Sequence, residues 1–199
     1  MSQKIIVGLL VFSSFFLSAC SLSSSQKEEV DLENQTSFDI ITPVNDQNMT
    51  ENNPVSDTIV ALNTKYGQIV IKLYQDLTPK TVANFLDKVN AGFYDGLVFH
   101  RVEPGFVVQG GDPLGNGTGG GTITSEINTT PFVRGSLGLA RGNIKEQSNN
   151  SQFFFCLTNQ ACQHLTGEYV NFGEVLSGMD IVDQIKPGDQ ILSAVTQTK

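Results

Sequence analysis

Tryptophan is absent from this 199-residue chain, and it has only two histidines, His100 and His164, and three cysteines, Cys20, Cys156 and Cys162. With no close Cys/His/Asp cluster, the sequence offers no ligand set for a metal. The same scarcity argues against a Ser-His-Asp hydrolase, and His100 reads as a structural histidine with its hydrogen bonds satisfied rather than as a base. Positive charge is also in short supply. Twelve Lys and Arg stand against twenty Asp and Glu, a net charge of −8. No basic stripe forms, so nucleic-acid binding has no electrostatic support. The longest apolar run, Ile5–Leu17, is thirteen residues, too short for a confident membrane span. Long periodic helical stretches are few.

What remains is rich in phenylalanine (13) and glycine (19), with 39% hydrophobic residues. That composition supports a core and favours a turn-rich β architecture. The length suits one domain with extensions. Charge divides the chain: residues 21–57 hold eight acids and one lysine, whereas residues 58–199 hold twelve acids and ten bases. The acidity thus belongs mainly to the amino-terminal part, and the remainder is nearly neutral.

Lys4 followed by the run Ile5–Leu17 reads as a signal peptide over residues 1–19. Its end, Leu17-Ser18-Ala19-Cys20, resembles a bacterial lipobox, in which the cysteine becomes an acylated amino terminus. The alternative is an ordinary cleavage site that happens to contain a cysteine. Acyl chains on Cys20 would anchor the protein to a membrane of the cell envelope. In a Gram-negative cell, Ser21 after the cysteine points to the outer membrane, facing the periplasm. Residues 20–57, polar and without period, read as a disordered acidic tether, about 35 Å across as a flexible coil. A short interaction motif at Phe38–Ile41 is the alternative there.

The folded part is expected over 58–199. Ile59–Asn63 and Gln68–Leu73 make a hairpin through Tyr66-Gly67. Thr78 is placed to cap a helix with Pro79 at its first position. Val82, Phe85, Leu86 and Val89 form its apolar face, and Gly92 ends it. Gly115–Gly121 contains a formal G-x-G-x-x-G, but no helix pattern or Walker lysine follows, so it reads as a glycine loop rather than a phosphate site. Ser136–Ala140 reads as a strand, Met179–Ile185 as a short second helix and Ile191–Val195 as a closing strand. Cys156 and Cys162 are expected as two thiols, because Cys156 falls at a strand core position and free cysteine is commonly buried; a bridge is the alternative.

The stretch Phe99–Asp112, FHRVEPGFVVQGGD, places one arginine in an apolar run. A guanidinium cannot shed its charge and is costly to bury unpaired. Pro104-Gly105 signals a turn, so the stretch reads as strand, turn, strand, with Arg101 and Gln109 pointing the same way. In the second run, Gln152–Leu157, alternation puts Gln152, Phe154 and Cys156 on one face and Phe153, Phe155 and Leu157 on the other. Both faces are apolar, so this strand is expected to be buried on both sides. One arginine, two glutamines and an aromatic wall make a pocket for a small apolar group beside a fixed donor.

These runs, with NGTGG (Asn116–Gly120), SQFFF (Ser151–Phe155) and NFGEV (Asn171–Val175) in this order, resemble the signature of the cyclophilin family of peptidyl-prolyl cis-trans isomerases over roughly Thr58 to Lys199. The resemblance implies a closed antiparallel β-barrel of about eight strands capped by two helices. It makes Arg101 the catalytic donor, with Phe106, Val107, Phe154 and Leu165 lining a proline pocket. Gln109 would bind the substrate carbonyl and orient Arg101, Gln152 would contact the backbone beyond, and the backbone at Ala140 and Arg141 would grip the substrate. Thr118 would touch a residue preceding the proline. His164 and Tyr169 occupy positions where cyclosporin-sensitive members have Trp and His, and Val107 replaces a common Met. The resemblance therefore implies intact activity with weakened cyclosporin affinity. The loop from Leu157 to Leu165 is about two residues longer than in common members. No cofactor is implied, the partners are proline-containing polypeptides, and a monomer is expected. A module that captures proline segments with incidental turnover is the competing reading. A barrel carrying a small lipophile is disfavoured, because large apolar residues would fill a small barrel.

Overall fold

A computed structural model describes residues 58–197. The expected signal peptide, Cys20 and the acidic tether fall on residues 1–57, outside the described residues.

Alternating burial in Gly67–Leu73 sets the first hairpin: β1 (Ile59–Thr64) pairs antiparallel with β2 (Gly67–Leu73). At the turn Thr64 Oγ1 donates to the carbonyl of Gly67, whose φ of +137° suits glycine. Helix α1 (Pro79–Asn90) follows, with Pro79 in its first turn and Gly92 just past its end at φ +67°. It buries Thr81, Val82, Phe85 and Val89. Phe85 meets the rings of Tyr94, Phe172 and Phe153 at 5.1, 5.3 and 5.7 Å. Thr78 does stand at the cap position, but its hydroxyl donates to the Tyr74 carbonyl instead. The free N–H groups of Lys80 and Thr81 go to the Glu126 carboxylate, at 3.1 and 2.7 Å. That carboxylate also complements the positive end of the helix dipole.

The remaining strands are β3 (Arg101–Glu103), β4 (Val107–Gly110), β5 (Thr122–Thr124), β6 (Ser136–Arg141), β7 (Gln147–Cys156), β8 (Asn171–Ser177) and β9 (Ser193–Gln197). They form one antiparallel sheet of nine strands, ordered β3-β4-β7-β6-β8-β2-β1-β9, with β5 added to β7. The expected closed barrel needs correcting: strand pairing ends at β3 and β9, and the sheet is curled rather than closed by a ladder. The seam is spanned by an isolated bridge between Val98 and Gln190. Irregular backbone bonds flank it, among them Gly96 N–H to Ile191 O at 2.7 Å and Phe99 N–H to Asp189 O at 2.8 Å. Pro187 lacks an N–H and Gly188 has φ +89°, so that stretch cannot extend as a regular strand.

Two further departures lie in the helices and at the carboxyl end. The second expected helix is only α3 (Met179–Val182), and β9 starts at Ser193 rather than at Ile191. The loop after Leu157 holds an unexpected turn of helix, α2 (Asn159–Cys162), running into a 3-10 turn at Gln163–Leu165.

The side chains of β7 serve two clusters. Phe153 and Phe155 enter the main core with Leu62, Ile69, Ile71, Phe99 and Phe172. Phe154 and Cys156, on the other face, join Val107, Phe132, Cys162 and Leu165. The expected free thiols are not observed, since Cys156 and Cys162 form a disulfide with Cα atoms 6.1 Å apart, within the usual span. Thr158 Oγ1 caps α2 by accepting from Ala161 N–H and so folds the chain back over the end of β7. Burial of Cys156, which pointed to a thiol, is equally satisfied by the bridge.

Candidate active site

The turn at Pro104-Gly105, with Gly105 at φ +77°, returns β4 onto β3 so that Arg101 and Gln109 are direct cross-strand partners. Arg101 Nη1 donates to Gln109 Oε1 at 2.9 Å. Gln109 Nε2 donates to Gln152 Oε1 at 2.9 Å, and Gln152 Nε2 donates to the carbonyls of Gly119 and Gly117 at 2.8 and 3.2 Å. Each amide is thereby fixed in orientation: backbone carbonyls, which can only accept, force the direction of every bond up to the guanidinium. The other edge of Arg101 is held by Glu103, whose Oε1 accepts from Nε at 2.9 Å and Nη2 at 2.6 Å.

The glycine loop that supplies those carbonyls is latched by Asp112. Its carboxylate accepts from the N–H groups of Leu114, Asn116 and Gly117. Burial opposes ionisation of Asp112, but these donors outweigh it and hold the carboxyl below its ordinary range. Gly119 packs so close to Asp112 Oδ1 that no Cβ fits there.

Beside Arg101 opens a pocket of about 290 Å³. Phe106, Val107, Phe154, Leu165, Ala140 and Tyr169 supply its apolar surface, and Gln109, Arg141 and His164 complete the wall with Arg101. The Arg101 guanidinium carbon lies 5.8 Å from the Phe106 ring centre. His164 stacks on Phe106 at 5.8 Å, and Tyr169 meets Phe154 edge-on at 5.9 Å. The Arg141 guanidinium lies over Tyr169 at 4.5 Å while Nε donates to the Glu168 carbonyl. No Asp, Glu, Ser, Thr or Cys lines the pocket. It can grip an apolar ring and present a charged donor.

Two expected residues lie elsewhere. Gln152 is buried and lines an adjoining recess of about 260 Å³, which it shares with Gln109, Ala140 and Arg141. Thr118 lines neither cavity; it is exposed, and its hydroxyl donates to Asn116 Oδ1. The expectation of a satisfied His100 also fails. Among the described residues neither enclosed ring nitrogen has a hydrogen-bond partner, and the ring lies near the side-chain-free Gly117. Burial lowers its pKa and Arg101 adds to that effect, with Asp112 opposing, so His100 is neutral at physiological pH. Sequence reasoning missed Glu103, although two residues apart on one strand share a face. It also missed Glu168, which holds Arg141 and is itself kept below the ordinary carboxylate range by Lys145. Among the described residues no group of three His, Cys, Asp or Glu could hold a metal, and no helix is long and apolar enough to cross a membrane.

The chain is similar to known proteins over most of its described length. A family model described as cyclophilin type peptidyl-prolyl cis-trans isomerase/CLD matches residues 59–198. A peptidyl-prolyl cis-trans isomerase of Synechococcus elongatus is 41% identical over 140 residues, covering 68% of this chain and 94% of that protein. One from Helicobacter pylori is 37% identical over 159 residues, 77% of this chain and 95% of that one. A solved cyclophilin type peptidyl-prolyl cis-trans isomerase of Cryptosporidium parvum matches with a TM-score of 0.66 at 31% identity, over 72% of this chain and 99% of its own. A further structure of it, determined in the presence of the dipeptide Ala-Pro, gives a TM-score of 0.65. The chain belongs to the cyclophilin family of peptidyl-prolyl cis-trans isomerases.

Proposed function

We propose that this isomerase turns X-Pro bonds by aiming the Arg101 guanidinium at the prolyl nitrogen while the pocket holds the ring still. Amide resonance sets a barrier of about 18–20 kcal/mol to rotation. Twisting the bond localises a lone pair on nitrogen, which then accepts a hydrogen bond that the planar amide cannot. A donor placed there favours the transition state alone, which is what lowers a barrier. A charge-assisted bond of roughly 1.5–3 kcal/mol corresponds to about 10- to 100-fold in rate. The observation that carries this reading is the one-way chain of hydrogen bonds from the glycine-loop carbonyls through Gln152 and Gln109 to Arg101, ending at a largely apolar pocket.

Phe106, Val107, Phe154 and Leu165 take the proline ring in this reading. Gln109 meets the substrate carbonyl, and Ala140, Arg141 and Gln152 contact the chain beyond it. Thr118 meets a residue before the proline, and His164 and Tyr169 shape the rim. The substrates are proline-containing segments of unfolded or flexible proteins, and the Ala-Pro dipeptide present with the Cryptosporidium protein supports that class. The lipobox-like end at Cys20 supports action as a membrane-tethered protein assisting folding in the cell envelope. Intact mass after membrane extraction tests the acylation.

A protease-coupled proline-peptide assay on the full chain tests the mechanism. Arg101→Ala is expected to lose about 10- to 100-fold in kcat/KM while proline-peptide binding changes little. Equal rates would remove Arg101 from the mechanism and leave a module that only captures proline segments.

A further inference from the structure

We infer that Glu103 is a positioning residue for this reaction, setting the angle at which Arg101 presents its free donors to the pocket. The inference rests on the role proposed for Arg101 and deepens it. A guanidinium carries five N–H donors in a rigid plane. Glu103 takes Nε–H and one N–H of Nη2, and Gln109 takes one N–H of Nη1. Among the described residues Arg101 makes no other hydrogen bond, which leaves one N–H on each terminal nitrogen of a side chain that lines the pocket. Gln109 alone fixes a single point, about which the plane can still pivot. Glu103 grips a second edge and removes that freedom. Arg101 and Glu103 share a face of β3 because they are two residues apart on a strand, so the clamp is built into the local backbone.

A carboxylate at 2.6 Å also offsets part of the charge that Arg101 must present. Exposure decides between the two effects. The side chains are 42% and 51% exposed, so solvent screens the pair and the loss of field at the pocket is small. The restraint acts at contact distance, through two hydrogen bonds to one carboxylate oxygen, and needs no long-range field. Glu103 therefore helps by orientation more than it hinders by neutralisation.

The test is a cycle of full-length variants in the proline-peptide assay: Glu103→Ala, Glu103→Gln, Arg101→Ala and the double variant with alanine at both positions. Both side chains are half-exposed, so folding is not at risk, and a thermal melt checks it. Glu103→Ala is expected to lower kcat roughly two- to fivefold, the range an exposed ion pair supports, with KM unchanged. Glu103→Gln, which keeps an acceptor oxygen, should recover part of the loss. With Arg101 already replaced, removing Glu103 should change nothing. The inference is overturned if Glu103→Ala matches or exceeds wild type, or if its loss is the same size with and without Arg101. Arg101→Ala at the wild-type rate is a separate result, which overturns the parent mechanism.

Discussion

Phe153 and Phe154 are neighbours in one strand and live in different surroundings. Phe153 is fully enclosed, with rings edge-on at 5.6 Å (Tyr94 and Phe155), 5.7 Å (Phe85) and 6.5 Å (Phe99). Phe154 stacks on Phe132 at 5.7 Å and meets Tyr169 on a second side, while the rest of its surface lines the pocket beside Arg101. The two-residue period of a strand is the whole cause of the difference. One face of β7 supplies the molecule's cohesion, and the other supplies a shaped surface backed by a second, smaller cluster.

Four substitutions would break or sharpen that contrast, and we take them in order of expected cost in stability. Phe153→Ala should lose about 3–5 kcal/mol by denaturant unfolding, with the activity of the folded fraction little changed. Phe154→Ala should lose less, yet depress kcat/KM far more than its stability cost explains. If the two cost the same stability and leave the same activity, the two faces are not distinct. Cys162→Ser, or reduction of the bridge to Cys156, removes a short loop closure worth about 2 kcal/mol in the chain-entropy account. Because the bridge ties β7 to the turn bearing His164 and Leu165, KM for a proline peptide should rise as that wall loosens. Unchanged melting and KM would make the bridge irrelevant to the pocket. Gly138→Ala is the mildest. Gly138 pairs with Phe154 across β6 and β7, and a Cβ there would run into the rings of Phe154 and Phe132. At the low end overpacking costs about 1 kcal/mol, and the ring nearest that Cβ, Phe154, also lines the pocket. The expected signature is a small shift in melting with a clear fall in activity.

Much of this was readable from local pattern. Alternation in Gln152–Leu157 sorted the phenylalanines onto their proper faces, and the Pro104-Gly105 turn put Arg101 opposite Gln109, because strand parity and turn chemistry act over a few residues. What was not legible has no period or turn signal of its own, with one exception. The Cys156–Cys162 bridge needs α2 to fold back over β7, and no period announces a single helical turn inside a loop. Open strand pairing between β3 and β9 follows from the irregular run at Lys186–Gln190, where the sequence suggested only that a closing strand should come next. His100 lacks a partner among the described residues, and Gly117 beside it brings no side chain, a fact of juxtaposition alone. Glu103 is the exception: its spacing from Arg101 was visible, and the apolar context of the run drew attention away from it.

The capping of α1 by Glu126 has a consequence for any attempt to divide the molecule. The carboxylate that completes the first turn lies 45 positions downstream of Thr81, beyond β5. An amino-terminal piece ending before Glu126 would contain every residue of the helix and still leave its opening amides unanswered. Residues 79–126 thus mark the shortest span in which that element has both its letters and its punctuation.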